Sequence, residues 1–525
     1  WTSALGEARV ACDDATLDRY GRTTQLVQHR PCCVLYPTST EEIQEIVRIA
    51  AVHGIKLYPI SRGRNWGYSD ASPTSDGAAI IDLSRMNRIV EVNTELAFAV
   101  IEPGVSQGEL SAYLRENKTG LVMDCTGAGP HASIIGNTLE RGFGHSHHGD
   151  HLGNTCGLEI VLADGRVLKT GFGHYNADPV SYCYRYGAGP FVDGLFTQSN
   201  YGIVTKAGVW LMHEPEDFCF FAAAVDNEND LPEFIDRLRP LRQKGLLSTA
   251  IHIGNDLRVL SARTAYPWDM AKGETPLPEP VRAAMRRKAG IGLWNAGGAL
   301  MGTRDQVRSG RKALRKVFKG FVRYKFVNDR QLAMADRFLP VLNSLGFGRQ
   351  TSEQIAALRP TYNLLKGIPE ATPLYAAHWR LRELPREIPT DSLDPACGLI
   401  WMSPVLPMRG DDARKVMTLT DAAFAKHGFE PLVTFTMVNE RALIGIIQIS
   451  YDKTVPGEGE GAAACYQELF DALLAAGYPP YRAGLSAMNK LQQAGDVFWD
   501  VASAIKRALD PSDILAPGRY IPPLG

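Results

Sequence analysis

Two glycine-rich loops constrain the fold of this chain more than any other part of its sequence. The first runs from Ser61 to Tyr68, and the second runs from Gly136 to Gly144. Glycine lets a backbone approach a ligand closely, and exposed amides beside arginine suit an anion. The pair therefore indicates loops that bind phosphate, although each loop taken alone is more typical of an ordinary tight turn.

The second loop departs from the dinucleotide fingerprint of doubly wound folds. Its third glycine would fall at position 147, which is His147, and no strand leads directly into it. Around the loops, short strands and helices mix without a βαβ rhythm. Strands are predicted at 55–60, 78–83, 98–102, 157–162 and 167–170, with a helix at 107–117. This arrangement favours an α+β fold.

The best-defined helix follows Ser39. Ser39 and Glu42 have the spacing of a capping box, in which Glu42 reaches back to the Ser39 amide, and Gly54 ends the helix. Its apolar residues are Ile43, Ile46, Val47 and Ala50. Because these positions share one side of a helix, the sequence predicts a helix with one buried face.

The middle of the chain has a different pattern of predicted secondary structure from that of both ends. Amphipathic helices predicted at 230–241, 281–288 and 411–426 alternate there with strand-like runs at 399–402 and 444–451. We therefore predict a first domain at 1–216, a second domain at 217–478 and a closing segment at 479–525.

Charge and composition argue against several classes of function. The 56 Lys and Arg residues nearly balance 57 Asp and Glu residues, which leaves no basic field for nucleic acid or an anionic membrane. No apolar run approaches the roughly 18–20 residues that span a bilayer. The nine cysteines lack CxxC spacing, so reduced thiols are expected and a structural zinc site is not. We expect a soluble protein, cytoplasmic or periplasmic, with removal of a targeting peptide before Trp1 left open.

Four histidines crowd into the segment that follows the second glycine loop: His145, His147, His148 and His151. Imidazole is the commonest metal ligand, but no second cluster of cysteine or carboxylate residues completes a metal site. The pattern favours the polar lining of a pocket, and no metal is predicted.

Eight motifs occur in one order along nearly the whole chain. They are Pro37–Glu42, Arg62–Tyr68, Glu102–Val105, Gly136–Gly144, Gly157–Leu162, Thr197–Lys206, Pro480–Arg482 and Ala516–Arg519. In this order they resemble the vanillyl-alcohol oxidase and p-cresol methylhydroxylase family of flavoproteins, and within it the bacterial branch of 4-cresol dehydrogenase and eugenol oxidase. The resemblance implies an FAD-binding domain assembled from both ends of the chain, with a cap domain closing over the flavin.

The resemblance also assigns residues to FAD. Residues 61–65 are expected on the pyrophosphate, and the second loop along the flavin. The cofactor residues so implied are Ser61, Arg62, Gly63, Arg64, Asn65, Gly136, Asn137, Arg141, Gly142, Gly144, His145, Gly202, Ile203, Val204 and Arg519. Relatives attach the flavin through a cap histidine or tyrosine, so His378 is the covalent candidate, beside noncovalent FAD.

In such relatives the substrate is a para-substituted phenol that loses a hydride from its benzylic carbon. Tyr68, Tyr481 and Arg482 match the residues that hold the phenolic oxygen, and Asp150 matches the acid beside flavin N5. The family further implies a homodimer that passes electrons to O2 or to a carrier protein such as a cytochrome. The histidines around Asp150 are unusual, which keeps open a non-phenolic alcohol or a natural-product intermediate as the substrate.

Overall fold

The computed structural model describes residues 1–344, 349–387, 393–492 and 495–524. Helices and sheets mix throughout these ranges, which confirms the α+β class. The helices are α1 Thr2–Leu5, α2 Asp14–Gly21, α3 Thr40–His53, α4 Gln107–Glu116, α5 Ile134–Leu139, α6 Asp178–Ser181, α7 Leu231–Gln243, α8 Asp256–Ser261, α9 Glu279–Ala289, α10 Arg304–Phe318, α11 Asp329–Ser344, α12 Arg349–Leu365, α13 Gly410–His427, α14 Glu458–Ala475 and α15 Val497–Leu509.

Two sheets are built from the first part of the chain. One has the strand order β1-β2-β4-β3, and the other is an antiparallel sheet with the order β5-β6-β10-β8-β9; a short pair, β7 and β11, lies apart from them. Their strands are β1 Val10–Ala11, β2 Cys33–Leu35, β3 Leu57–Ile60, β4 Ala79–Asp82, β5 Ile89–Asn93, β6 Phe98–Ile101, β7 Leu121–Val122, β8 Thr155–Val161, β9 Val167–Lys169, β10 Ile203–Trp210 and β11 Met212–His213.

The helix predicted after Ser39 is α3, and its apolar face is buried as expected. Its cap differs from the prediction in one contact. The Ser39 hydroxyl accepts a hydrogen bond from the Glu42 amide at 3.3 Å. The Glu42 carboxylate instead accepts from the Thr38 amide at 2.8 Å and pairs with Arg9. Because Arg9 offers a charged partner, Glu42 turns away from the Ser39 amide.

The middle of the chain forms one eight-stranded sheet, called here the cap sheet. Its order is β15-β12-β14-β13-β18-β19-β16, with β17 also paired to β19, and its neighbours are antiparallel. The strands are β12 Asp217–Val225, β13 Ile251–Asn255, β14 Trp294–Gly302, β15 Arg323–Asn328, β16 Cys397–Met402, β17 Val405–Pro407, β18 Leu432–Met437 and β19 Ala442–Asp452. All of them fall within the predicted second domain, whose bounds at 217 and 478 stay predictions.

The C-terminal segment of the chain packs against strand β3 near the N-terminus. Leu57 of β3 donates to the Ile514 carbonyl at 2.7 Å and accepts from the Ala516 amide at 2.7 Å. Lys506 of α15 is fully buried and fixes this return, because its ammonium binds Asp510 at 2.6 Å and the carbonyls of Asn200 and Leu515. In the ranges described, no helix is long and apolar enough to cross a membrane.

Candidate active site

A cavity of about 2070 Å³ lies between the cap sheet and both glycine loops. Ligand pockets usually measure roughly 300–1,000 Å³, so this one has room for a large cofactor together with a substrate. Successive side chains of a strand point to opposite faces, so alternate residues of the cap sheet form one wall. These include His252, Gly254, Asn295, Gly297, Leu399, Trp401, Thr434, Thr436, Ile446 and Gln448.

The first glycine loop forms part of the opposite wall, with residues 61–66, 68 and 69 lining the cavity. Arg62 also fixes the position of the loop, since its Nη1 donates to the Gly104 carbonyl at 2.8 Å. At Gly63, φ is +65° and an added Cβ would lie 2.9 Å from the Ala71 Cβ. At Gly67, φ is +76° and an added Cβ would lie 2.1 Å from the Trp401 ring. The loop therefore needs glycine at both positions to reach the cavity in this shape.

The second glycine loop lines the same wall through Gly136, Asn137 and Gly142. The Ser133 hydroxyl accepts from the Gly136 amide at 2.9 Å and begins α5 there. An added Cβ would lie 3.0 Å from the Ser61 Oγ at Gly136 and 2.3 Å from the Asn137 Nδ2 at Gly142. Because neither position has room for a side chain, the two loops together leave a smooth backbone cradle for a long anionic ligand.

Seven of the predicted site residues do not line this cavity: Arg141, Gly144, Asp150, Gly202, Ile203, Val204 and His378. Ile203 and Val204 are buried in β10, and Arg141 donates through Nε to the Thr197 hydroxyl at 3.0 Å. Arg141 thus connects the second loop to Thr197 instead of facing the cavity.

Asp150 is the largest departure from the predicted site. Its side chain is exposed and Oδ1 accepts from the Gly153 amide at 2.9 Å, so it stabilises a surface turn. The buried carboxylate of this region is Asp124, which accepts from the amides of His145 and Ser146 and binds His151 Nε2 at 2.6 Å. Burial opposes ionisation of Asp124, but the His151 contact and these hydrogen bonds outweigh it and lower its pKa to about 2.

The predicted trio of Tyr68, Tyr481 and Arg482 lines the cavity together. The Arg482 guanidinium lies 4.2 Å from the centre of the Tyr68 ring, and the Tyr68 hydroxyl is 2.9 Å from the Ser403 Oγ. Burial and the neighbouring Tyr481 raise the pKa of Tyr68 well above its usual value. Tyr68 therefore stays protonated and can donate a hydrogen bond.

Glu140 is a site residue that the sequence did not single out, although it lies inside the second loop. It is buried, 3.3 Å from Arg482 Nε, and forms an ion pair with Arg519. The Tyr520 hydroxyl also donates to it at 3.2 Å. Arg482 is held on its other side by the Asn65 side-chain oxygen. Glu140 thus joins the first loop, the second loop and the C-terminal segment at one buried ionic cluster.

A second set of polar side chains lines the cavity: His145, which follows the second glycine loop, and His252 and Arg258 of the cap domain. His145 Nδ1 donates to the Cys125 carbonyl at 2.9 Å, and the His145 and His252 rings are 4.4 Å apart. Burial lowers the pKa of both imidazoles, so both are neutral near pH 7. His252 and Arg258 follow no motif in the sequence, so only the pairing of β13 with its neighbours reveals them.

Comparison with known proteins agrees with this geometry. A family described as FAD binding domain matches residues 31–171. The chain is 32% identical over 525 residues to the 4-cresol dehydrogenase [hydroxylating] flavoprotein subunit of Pseudomonas putida, covering 98% of this chain and 93% of that one. A crystal structure of p-cresol methylhydroxylase with substrate bound superposes with a TM-score of 0.88 at 31% identity, covering 99% of this chain and 95% of the other. The chain belongs to the p-cresol methylhydroxylase family.

Two further relatives widen the range of chemistry around this family member. A 1'-carboxy-chondrochloren decarboxylase of Chondromyces crocatus is 38% identical over 520 residues, which cover 98% of this chain and 95% of the relative. The 4-ethylphenol oxidase of Gulosibacter chungangensis in complex with isoeugenol has a TM-score of 0.88 at 30% identity, over 99% of this chain and 95% of the oxidase. The family identifies the chain as an FAD-dependent oxidoreductase, and the glycine cradle and Arg64 fit that cofactor.

The position of His378 bears on how this family member holds FAD. His378 is fully buried behind the cavity wall. Its Nδ1 donates to the Leu374 carbonyl at 3.3 Å, and its Nε2 accepts from the Asp394 amide at 3.4 Å. Both ring nitrogens are therefore engaged, whereas the nearby Tyr375 lines the cavity.

We expect His378→Ala to leave the mode of FAD attachment unchanged. After acid precipitation of the variant and of the wild type, the same fraction of flavin absorbance should stay with the protein. Tyr375→Phe is the matched comparison, because it removes the phenol that faces the cavity. Flavin that is retained by the wild type and released only by His378→Ala would reverse this expectation.

Proposed function

We propose that the protein oxidises a para-substituted phenol by removing a hydride from its benzylic carbon. The observation that carries the proposal is that Tyr68, Tyr481 and Arg482 line the cavity next to one another, with Arg482 fixed by Asn65 and Glu140. Bound FAD supplies the hydride acceptor. The chain's own task is then to hold the ring oxygen as a phenolate, because its negative charge drives the hydride out and leaves a quinone methide.

Hydrogen bonds from these residues can supply the free energy that is needed to ionise the phenol. A phenol has a pKa of about 10, and lowering it by roughly 2–3 units needs about 3–4 kcal/mol. A charge-assisted hydrogen bond is worth about 1.5–3 kcal/mol, so Arg482 and one tyrosine hydroxyl suffice. Since Tyr68 stays protonated, it donates to a phenolate and does not compete with it for charge.

The decisive test compares a phenol with its methyl ether. We expect 4-ethylphenol to bleach the flavin absorbance when it is mixed with the protein without oxygen, and 4-ethylanisole to leave the absorbance unchanged. A methyl ether keeps the ring and the benzylic carbon but cannot ionise. Equal reduction by both compounds, or reduction by non-phenolic alcohols alone, would favour the other substrate classes that the histidine-rich segment kept open.

The Tyr68→Phe variant provides a graded check. Removing the hydroxyl takes away one donor to the phenolate while the ring stays beneath Arg482. We expect kcat/KM for 4-ethylphenol to fall about 10- to 100-fold, with flavin content unchanged. Tyr113→Phe on the exposed side of α4 should have no effect.

A second candidate function is oxidation coupled to loss of CO2, supported by the 38% identity to a decarboxylase. In this reaction the hydride again leaves the benzylic carbon. The bond from the neighbouring carbon to its carboxylate then breaks, its electron pair forms a C=C bond with the benzylic carbon, and the quinone-methide electrons return to the phenolic oxygen. Mass spectrometry of a 4-hydroxyphenyl substrate with such a carboxylate would find an alkene that is lighter than the neutral acid by CO2 and two hydrogen atoms, namely the hydride that is removed and the carboxyl proton.

We propose O2 or an electron-carrier protein as the final acceptor. An oxidase and a flavoprotein subunit are both among the relatives. Substrate-dependent oxygen consumption, measured with and without a cytochrome, separates the two acceptors.

A further inference from the structure

Arg258 is a cation in the cavity wall that the phenol mechanism does not use. It lies on α8, directly after β13, and its guanidinium is 5.9 Å from the centre of the Trp401 ring. Its Nη1 is buried and has no hydrogen-bond acceptor within the ranges the structure describes. Burial lowers the pKa of Arg258 to about 10, which leaves it charged at neutral pH. A buried donor of this kind is costly unless a ligand satisfies it.

The acidic side chains that line the cavity do not neutralise Arg258. Asp70 accepts from the amide and hydroxyl of Thr24, and Glu140 is bound by Arg482 and Arg519. Glu353 also lines the cavity but is exposed, and no ion pair joins it to Arg258 among the described contacts. The positive charge of Arg258 is therefore left for something that enters the cavity.

His252 supplies a second unsatisfied atom on the cavity-facing side of β13, two residues before Gly254, where an added Cβ would lie 3.8 Å from the Arg258 Cγ. Its Nδ1 lies 3.0 Å from the Thr436 hydroxyl, and its buried Nε2 has no hydrogen-bond partner in the described ranges. Burial, the nearby His145 and Arg258 all lower the pKa of His252, so the ring is neutral. With Nδ1 accepting from Thr436, the Nε2–H becomes a donor toward the cavity.

We propose that Arg258 and His252 form a carboxylate subsite, which makes the preferred substrate a 4-hydroxyphenyl compound with a carboxylate on its para side chain. This inference rests on the proposed function for the phenol end alone. A carboxylate can accept hydrogen bonds from both the guanidinium and the neutral imidazole N–H. Its negative charge would also pair with the positive charge of Arg258. The FAD pyrophosphate is expected at residues 61–65, on the wall opposite β13, and so does not compete for Arg258.

The test measures binding to chemically reduced holoenzyme, which cannot turn the ligand over. The two probes are 3-(4-hydroxyphenyl)propanoate and its amide, which share shape and phenol but differ in charge. We expect the wild type to bind the propanoate about 10- to 150-fold more tightly than the amide by anaerobic titration calorimetry. Arg258→Met should abolish this preference by weakening the propanoate alone.

Two further variants control for charge and folding. Arg263→Met removes another arginine that lines the cavity but is exposed to solvent, and this variant should keep the preference. Loss of the preference in Arg263→Met would mean that only a general positive field attracts the carboxylate. If Arg258→Met does not fold with flavin, His252→Phe should still weaken the propanoate about 5- to 15-fold. Equal affinity of the wild type for both probes, or a preference that survives in Arg258→Met, overturns the subsite. Flavin reduction by neutral 4-propylphenol reports separately on the phenol mechanism.

Discussion

Replacing Arg482 by lysine is expected to lower kcat/KM for the best phenolic substrate about 30- to 1000-fold. Lysine keeps the charge but loses the planar fork that lets Arg482 bind Asn65 and Glu140 while facing the substrate oxygen. Losing one charge-assisted contact in the transition state costs about 2–4 kcal/mol, which corresponds to that range. Stopped-flow flavin reduction gives the value directly, because it excludes reoxidation and product release.

Two further measurements on the same variant distinguish loss of the contact with the phenolate oxygen from loss of FAD. Flavin content per chain should be unchanged in Arg482→Lys, and binding of a non-phenolic ring such as 4-ethylanisole should be unaffected. Arg414→Lys is the matched control, since Arg414 lies on the exposed side of α13 and donates to the side-chain and carbonyl oxygens of Asn229, away from the cavity. Flavin reduction by Arg482→Lys at the wild-type rate would show that the phenolate mechanism is wrong for this protein.

The parts of the site that the sequence predicted are those set by local spacing. Gly63, Gly136 and Gly142 lie where an added Cβ would be crowded by neighbouring atoms. Tyr481 and Arg482 are consecutive in the sequence, so they stay close together in any fold. Helix bounds followed in the same way, since the apolar face predicted after Ser39 is that of α3.

Some side chains take positions that no local pattern in the sequence indicates. His252 faces the cavity because β13 pairs with β14 and β18, a register that no local pattern encodes. Asp150 was placed by its motif neighbours, but the Gly153 amide engages its carboxylate on the surface. His378 was assigned through the resemblance, but its side chain is buried outside the cavity lining, whereas Tyr375 and Ala377 line the cavity. Side-chain direction, and not residue type, decided these positions.

Replacing Glu140 by glutamine should destabilise the protein more than any other single change considered. Glu140 is 8% exposed and faces Arg482 and Arg519, which are 11% and 16% exposed. Removing one charge from a buried ionic cluster leaves the others uncompensated, at a cost of about 3–5 kcal/mol. Since the cluster joins both glycine loops to the C-terminal segment, its loss should also loosen FAD. We expect a lower urea midpoint and a lower flavin content.

Glu233→Gln provides the matched control for this prediction. Glu233 pairs with Arg237 on the surface of α7, with exposures of 55% and 35%. Solvent screens such a pair, so its loss should cost less than about 1 kcal/mol. Urea unfolding of both variants, followed by flavin fluorescence and by circular dichroism, compares one carboxylate-to-amide change in two surroundings. If Glu140→Gln shifted the midpoint no more than Glu233→Gln does, the two arginines would already be neutralised by other groups, and Glu140 would not be the residue that holds Arg482 in place.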